Sequence, residues 1–258
     1  MTSSENFLRE FHTAHAGATS RAFARAGSYA RLTARVPPQA RVLDLACGDG
    51  ALLAELGAGA LGIDVTLAEL HEAQARLARA GAPGSETLIA AARAQALPFA
   101  AHRFDAVTCH LAFMLFDDLP AVVRELERVL VPGGDFVALL GGGPTADGDD
   151  AFHRFLALLD QQSVPRTVPR LGDPRAKSEA GWQAVMPRWQ VAPFERWTLD
   201  LSGSFDEVWS FLGASYEIAP ERAPALEAAF RAATREWGEL IPCTVVVFLA
   251  RASLPRST

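Results

Sequence analysis

The spacing of apolar positions changes along the chain, and each change marks a different kind of element. Over residues 5–36, Phe7, Phe11, Phe23 and Tyr29 recur among alanines and arginines, which predicts one or two helices ended by Pro37-Pro38. Arg41–Ala46 is a short apolar run that enters a glycine-containing turn. Residues 50–57 read as helix, Ala60–Asp64 as a second strand, and Leu67–Ala80 as an amphipathic helix ended by Gly81 and Pro83. Thr87–Ala92 predicts a third strand and Phe104–His110 a fourth. Leu119–Leu130 predicts a helix stopped by Val131-Pro132-Gly133-Gly134, and Asp135–Leu140 a fifth strand.

Strands alternating with helices of this length imply a parallel sheet covered on both faces. After Leu140 the rhythm breaks. Residues 141–190 are rich in Gly, Pro and Asp, with a helix expected at 149–162. The stretch is too long for an ordinary connection and reads as a lid or substrate-facing insertion. Alternation returns at Val191–Leu201, followed by helices at 205–213 and 220–238 and a last strand at Thr244–Ala250. No linker divides the chain. It reads as one α/β domain: a helical cover at 1–38, a core at 39–141, an insertion at 142–190, and closing strands and helices at 191–258.

Composition narrows the class. Of 258 residues, 50% are hydrophobic and 21% charged, which excludes a disordered chain. No run of apolar residues is long enough to span a membrane, and the N-terminus lacks the basic start and apolar stretch of a signal peptide. A soluble, cytoplasmic protein without membrane contact is expected, as monomer or homodimer. A net charge of −6 argues against a nucleic-acid partner. Cys47, Cys109 and Cys243 are widely spaced with no CxxC, so neither a disulfide framework nor a zinc site is expected.

The informative segment is Val42-Leu-Asp-Leu-Ala-Cys-Gly-Asp-Gly50. Glycines in this first strand-to-helix turn let a ligand approach the backbone. A dinucleotide fingerprint fails at its third position, which is Leu53. Asp44 would repel a pyrophosphate but suits an ammonium or sulfonium. Asp64 ends the second strand, where an acid accepts both hydroxyls of a ribose. S-adenosylmethionine carries these features together. The bland alternatives are a turn cap for Asp44 and a helix cap for Asp64.

These motifs resemble the class I S-adenosylmethionine-dependent methyltransferases, of the small-molecule, UbiE-like branch. DLACGDG (44–50) looks like the first motif of that family and GID (62–64) like its second-strand acid motif. ARAQALPF (92–99), FDAVTCHLAFMLFDDL (104–119) and RVLVPGG (128–134) resemble the later ones, so the likeness is close over residues 39–141. The resemblance implies a Rossmann-like, seven-stranded, mostly parallel sheet with an insertion between strands five and six. It implies methyl transfer from S-adenosylmethionine, with S-adenosylhomocysteine as product and no metal. Asp44, Ala46, Cys47, Gly48 and Gly50 would hold the methionine end, Asp64 the ribose, and Val65, Ala94 and Gln95 the adenine. His110 would lie near the sulfonium and the acceptor. Two departures stand out: Ala46 replaces a motif glycine, and Arg93 stands where an Asp often meets the adenine amine.

The acceptor is expected to be a small molecule, apolar or aromatic, methylated on a hydroxyl or carboxyl oxygen in specialised metabolism. Nitrogen or carbon transfer, or cofactor binding without catalysis, are the alternatives. A hydroxyl acceptor benefits from a base near neutrality, and His is the usual one. His110, His15 and His12 are the candidates, against a core histidine for His110 and solvated or capping ones for the others. Trp182, Met186 and Trp189 fall at near-helical spacing and read as a packing stripe, or else as lid aromatics against a planar acceptor. Arg166, Arg170 and Arg175 read as solvated, or as partners for an acidic group. Asp117-Asp118 suits a helix N-terminus better than a metal.

Overall fold

The computed structural model describes residues 3–14, 17–81, 89–162, 171–216 and 218–256. Strands β1 (Val42–Leu45), β2 (Leu61–Asp64), β3 (Ile89–Ala91), β4 (Phe104–His110) and β5 (Leu130–Gly143) pair in parallel in the order β3-β2-β1-β4-β5. β6 (Gln190–Val191) and β7 (Glu195–Asp200) lie end to end along one edge of β8 (Thr244–Ser253), whose other edge runs antiparallel to β5. The fold is a Rossmann-like α/β fold with eight strands in seven sheet positions. The expected strand at 191–201 divides because Pro193 has no N–H to give the ladder. Ala192 N still donates to the Arg251 carbonyl at 2.9 Å, which keeps the two pieces in line.

Two further expectations are corrected. Val131-Pro-Gly-Gly134 does not separate helix from strand: β5 starts at Leu130 and runs through it, with an irregularity in its pairing opposite Phe104 and Ala106. Gly134 permits this, because a Cβ there would sit 2.9 Å from the Val131 carbonyl oxygen and 3.1 Å from that of Asp105. The N-terminal cover is three helices, α1 (Ser3–Ala14), α2 (Ala18–Arg25) and α3 (Ser28–Thr33). Gly17 and Gly27, at φ of 70° and 66°, break the run in the left-handed region open to glycine.

Strand alternation sorts the side chains between the two faces. Leu43, Leu45, Val107, Cys109, Phe136 and Ala138 join one core, beneath α6 (Leu119–Val129) and α8 (Glu179–Val185). Val137, Leu139, Val245 and Val247 join the other, beneath α2, α3, α7 (Ala151–Gln161), α9 (Phe205–Tyr216) and α10 (Ala223–Thr234). The helices α4 (Ala51–Leu56) and α5 (Leu67–Arg79) follow β1 and β2. No helix of the described residues is long and apolar enough to cross a membrane.

The stripe of Trp182, Met186 and Trp189 belongs to the first core and does not line the cavity introduced below. Trp182 is fully buried, stacks on Phe136 at 5.3 Å between ring centres, and donates its indole N–H to the Ala176 carbonyl at 2.8 Å. Within 142–190, the described residues that reach the cavity introduced below are Gly143, Phe152 and Leu171. Trp182→Ala is expected to lower unfolding stability by about 3–5 kcal/mol in urea titration. A loss below about 1 kcal/mol would contradict this assignment of Trp182 to the core.

Candidate cofactor and acceptor site

The carboxyl ends of β1, β2, β4 and β5 open on a cavity of about 420 Å³. Strand alternation explains what lines it. Asp44 of β1 and Thr108 of β4 are register partners on one face, and His110 lies two residues further along β4 on that same face. Cys109, between them, points into the opposite core.

Asp44 is 1% exposed. Its Oδ1 accepts the Thr108 hydroxyl at 3.0 Å. Its Oδ2 is buried without any hydrogen-bond partner among the described residues. Desolvation pushes the carboxyl up to about 8; the Thr108 bond opposes this, and the nearby charge of Asp64 adds to it.

The turn after β1 is wound tightly. Ala46, Gly48 and Gly50 all have positive φ, at 58°, 52° and 74°. Ala46 pays for its left-handed geometry by about 1–2 kcal/mol, which explains the glycine usual at that motif position. Gly48 N donates to Asp64 Oδ2 at 3.0 Å, and Thr66 N to Asp64 Oδ1 at 2.8 Å. Each carboxylate oxygen keeps a further acceptor site, so the cap and a pair of ribose hydroxyls are compatible.

The cover reaches this site through polar side chains. His12 Nδ1 of α1 is 3.1 Å from Glu69 Oε1 of α5. Ser20 of α2 and Arg76 of α5 both donate to Asp49 Oδ2, and Arg76 Nε donates to the Asp49 carbonyl at 3.0 Å. Asp49 thereby ties cover, turn and α5 together. Phe7, Leu8 and Phe11 of α1 complete the wall.

His110 Nε2 is 3.0 Å from the Ser28 hydroxyl. Tyr29 lies over the ring at 4.4 Å and Phe23 meets it edge-on at 5.4 Å. Burial pushes its pKa down to about 3, so the ring is neutral near neutral pH. The charged groups of the cavity wall are otherwise acidic: Asp44, Asp49, Asp64 and Glu69, with His12 beside the last.

Of the residues anticipated for the site, His12, Asp44, Ala46, Cys47, Gly48, Asp64 and His110 line the cavity together. Gly50 stands behind it, capping α4, where a Cβ would lie 3.0 Å from that of Ala73. Val65 is exposed, Ala94 packs in the first core, Gln95 is half-buried, and none of the three is on the wall. His15, Arg166 and Arg170 lie outside the described residues. Arg175 pairs with Asp173, and Asp118 caps α6 by accepting Ala121 N, so both serve local structure. Ser20, Ser28, Asp49, Glu69, Arg76 and Thr108 were not anticipated. Their partners are remote in sequence, and a buried acid at 49 carries no local signal.

Residues 43–138 match the family model described as Methyltransferase domain. Over 101 residues the chain is 43% identical to a demethylmenaquinone methyltransferase of Thermus thermophilus, covering 38% of this chain and 46% of that relative. It is 34% identical over 117 residues to the ubiquinone/menaquinone biosynthesis C-methyltransferase UbiE of Shewanella woodyi, covering 43% and 46%. These matches span about half the length of either relative. The YcgJ protein of Bacillus subtilis shares the fold, with a TM-score of 0.59 at 19% identity over 90% of this chain and 99% of that one. Fold and motifs together make the chain similar to the class I S-adenosylmethionine-dependent methyltransferases, with the family match confined to residues 43–138.

S-adenosylmethionine is the cofactor of the class that the chain resembles, and the residues present fit it. An orphaned, buried carboxylate oxygen beside a cavity calls for a donor, and an ammonium is the donor that best restores its charge. The raised Asp44 pKa has a consequence for the ligand-free protein. A carboxyl whose folded pKa lies above its unfolded value contributes stability at low pH that is lost as pH rises through the folded value. Asp44→Asn is therefore expected to gain stability relative to the parent as pH rises from about 4 to about 8, with no further change above. Urea midpoints across that range check this; a difference independent of pH would contradict the burial argument.

Proposed function

We propose that the chain transfers a methyl group from S-adenosylmethionine to an uncharged, largely apolar small molecule. The observation that carries this is the orphaned Asp44 Oδ2 at a cavity whose walls away from the turns after β1 and β2 are largely apolar, from Phe23 and Leu111 to Phe152, Phe211 and Val247. The cofactor, when bound, supplies an electrophilic methyl group on a cationic sulfur. Asp44 would hold the ammonium, the Gly48 turn would lie against the methionine end, and Asp64 would take the ribose. The apolar walls exclude water and orient the acceptor, and such positioning lowers the barrier of a bimolecular displacement.

The acidic wall disfavours an anionic acceptor, so a hydroxyl is the better oxygen candidate than a carboxylate. A second reading is transfer to an electron-rich ring carbon. It is supported by the neutral, weakly basic His110, since carbon attack needs no strong base before the methyl moves. It is also supported by the relatives, a demethylmenaquinone methyltransferase and a ubiquinone/menaquinone biosynthesis C-methyltransferase. Incubation with naphthols and reduced quinones, followed by mass analysis of the product, separates O-methyl from C-methyl transfer.

Calorimetric titration with S-adenosylmethionine and S-adenosylhomocysteine tests the cofactor reading directly. Both are expected to bind. Asp64→Ala should weaken binding by about 1.5–3 kcal/mol through lost charged hydrogen bonds. Because Asp44 is protonated below about 8 when the site is free, binding of an ammonium should release a proton. Affinity should then rise from about pH 6 towards neutrality, and the heat should depend on the buffer. Absence of binding to either ligand would overturn the proposal; binding without proton release would remove Asp44 from it.

A further inference from the structure

His110 is a polar side chain of the cavity wall that the acidic cluster does not explain. His110 sits among apolar walls, and its hydrogen bonding fixes which nitrogen carries the proton. Ser28 has a single hydroxyl proton. Its Oγ donates to the Phe23 carbonyl at 3.0 Å, closing the corner between α2 and α3. Towards His110 Nε2, also at 3.0 Å, the same oxygen can only accept. Nε2 therefore bears the hydrogen. In a neutral imidazole the other nitrogen, Nδ1, is then a bare acceptor.

Nδ1 makes no hydrogen bond to any described residue. Among the described residues, the buried side-chain atoms lacking a partner come down to Asp44 Oδ2, so Nδ1 is not sealed from the cavity that His110 lines. Ser28 is fully buried, and the Tyr29 ring above and the Phe23 edge beside it hold the imidazole plane. The nitrogen that opens on the cavity is thus held in orientation by three residues of the cover.

We propose that His110 is a positioning residue for the acceptor: Ser28 locks its ring as the Nε2–H tautomer, and Nδ1 accepts a hydrogen bond from a hydroxyl or N–H on an otherwise apolar, uncharged molecule. The proposal rests on the methyltransferase reading and names its acceptor class. It selects phenols, enols, reduced quinones and similar donors over their ethers and over carboxylates. His110 does not take the acceptor's proton before transfer but orients the group that bears it; once the S–C bond has broken and the methyl is on the acceptor, the cationic product gives that proton to Nδ1, which passes it to solvent.

The test reads the tautomer and its consequence separately. In protein labelled with nitrogen-15 histidine, His110 is expected to show the neutral Nε2–H form throughout about pH 5 to 8. An Nδ1–H form, or titration of this ring within that range, overturns the proposal. Calorimetry with α-naphthol and its methyl ether, both in the presence of S-adenosylhomocysteine, is expected to show about tenfold preference for the naphthol, the worth of one hydrogen bond. His110→Phe keeps the aromatic packing and should abolish the preference while S-adenosylhomocysteine binds within about twofold of the parent. Ser28→Ala, which frees the tautomer, should reduce the preference to a few-fold, and Ser28→Thr should restore it. An unchanged preference in His110→Phe overturns the proposal. Loss of S-adenosylhomocysteine binding in the parent, with the naphthol preference intact, would uphold this role and overturn the methyltransferase reading instead.

Discussion

The site depends on a carboxylate that the fold leaves incompletely satisfied. Asp44 is carried by the central strand of a parallel sheet, and its neighbours across the register are fixed by pairing with β4. Thr108 answers one oxygen and nothing among the described residues answers the other. Burying half a charge in this way is unfavourable for the ligand-free protein. It is tolerable because protonation relieves it, and useful because a cationic ligand relieves it more completely. On the proposed reading the cost is borne in the ligand-free protein and recovered when a cation binds, which would tie the ligand's charge to the sheet's geometry.

The N-terminal cover is located by the same region of the structure. Apolar contacts from Phe23, Tyr29 and Leu32 place it on the second core, but polar bonds set its register over the site. Asp49 of the motif turn receives Ser20 and Arg76, Glu69 meets His12, and Ser28 meets His110. Each bond joins a cover helix, or the helix after β2, to a residue at the carboxyl edge of the sheet. A disturbance of the turn therefore reaches the cover directly, and the cover's position reports on the turn. The apolar roof of Phe7, Leu8 and Phe11 adds exclusion of water without adding a competing donor.

Much of this was legible in the sequence where local patterns suffice. Alternating strands and helices gave the sheet, and a strand-end acid followed by glycines and a second strand-end acid marked residues that meet at the cavity. What escaped notice depends on contacts distant along the chain. Ser28 and His110 are 82 positions apart, and Asp49 and Arg76 are 27 apart. The continuation of β5 through a Pro-Gly-Gly segment depends on how closely Gly134 packs against Val131 and Asp105, which no propensity reports. The stripe at Trp182 had the right period for either reading, and only its stacking on Phe136, on the far face of the sheet, decides between them.

The division of charge along the cavity bears on the chemistry it can support. Carboxylates placed against the sulfonium itself would stabilise the reactant cation and raise the barrier to losing it. Here the acids cluster around the turns after β1 and β2, whereas the region beyond His110 is apolar and uncharged. An uncharged acceptor that takes a methyl cation moves positive charge from sulfur onto itself, and no new charge is created. An apolar chamber does not oppose that step as it would the desolvation of an anionic nucleophile. A neutral imidazole suits such a chamber better than a charged one, because it orients a donor without binding the developing positive charge's proton too early. The low basicity of His110 is then a consequence of the same burial that shapes the apolar side of the cavity, and in the proposed function carboxylate and imidazole divide the site between anchoring a cation and orienting a neutral molecule.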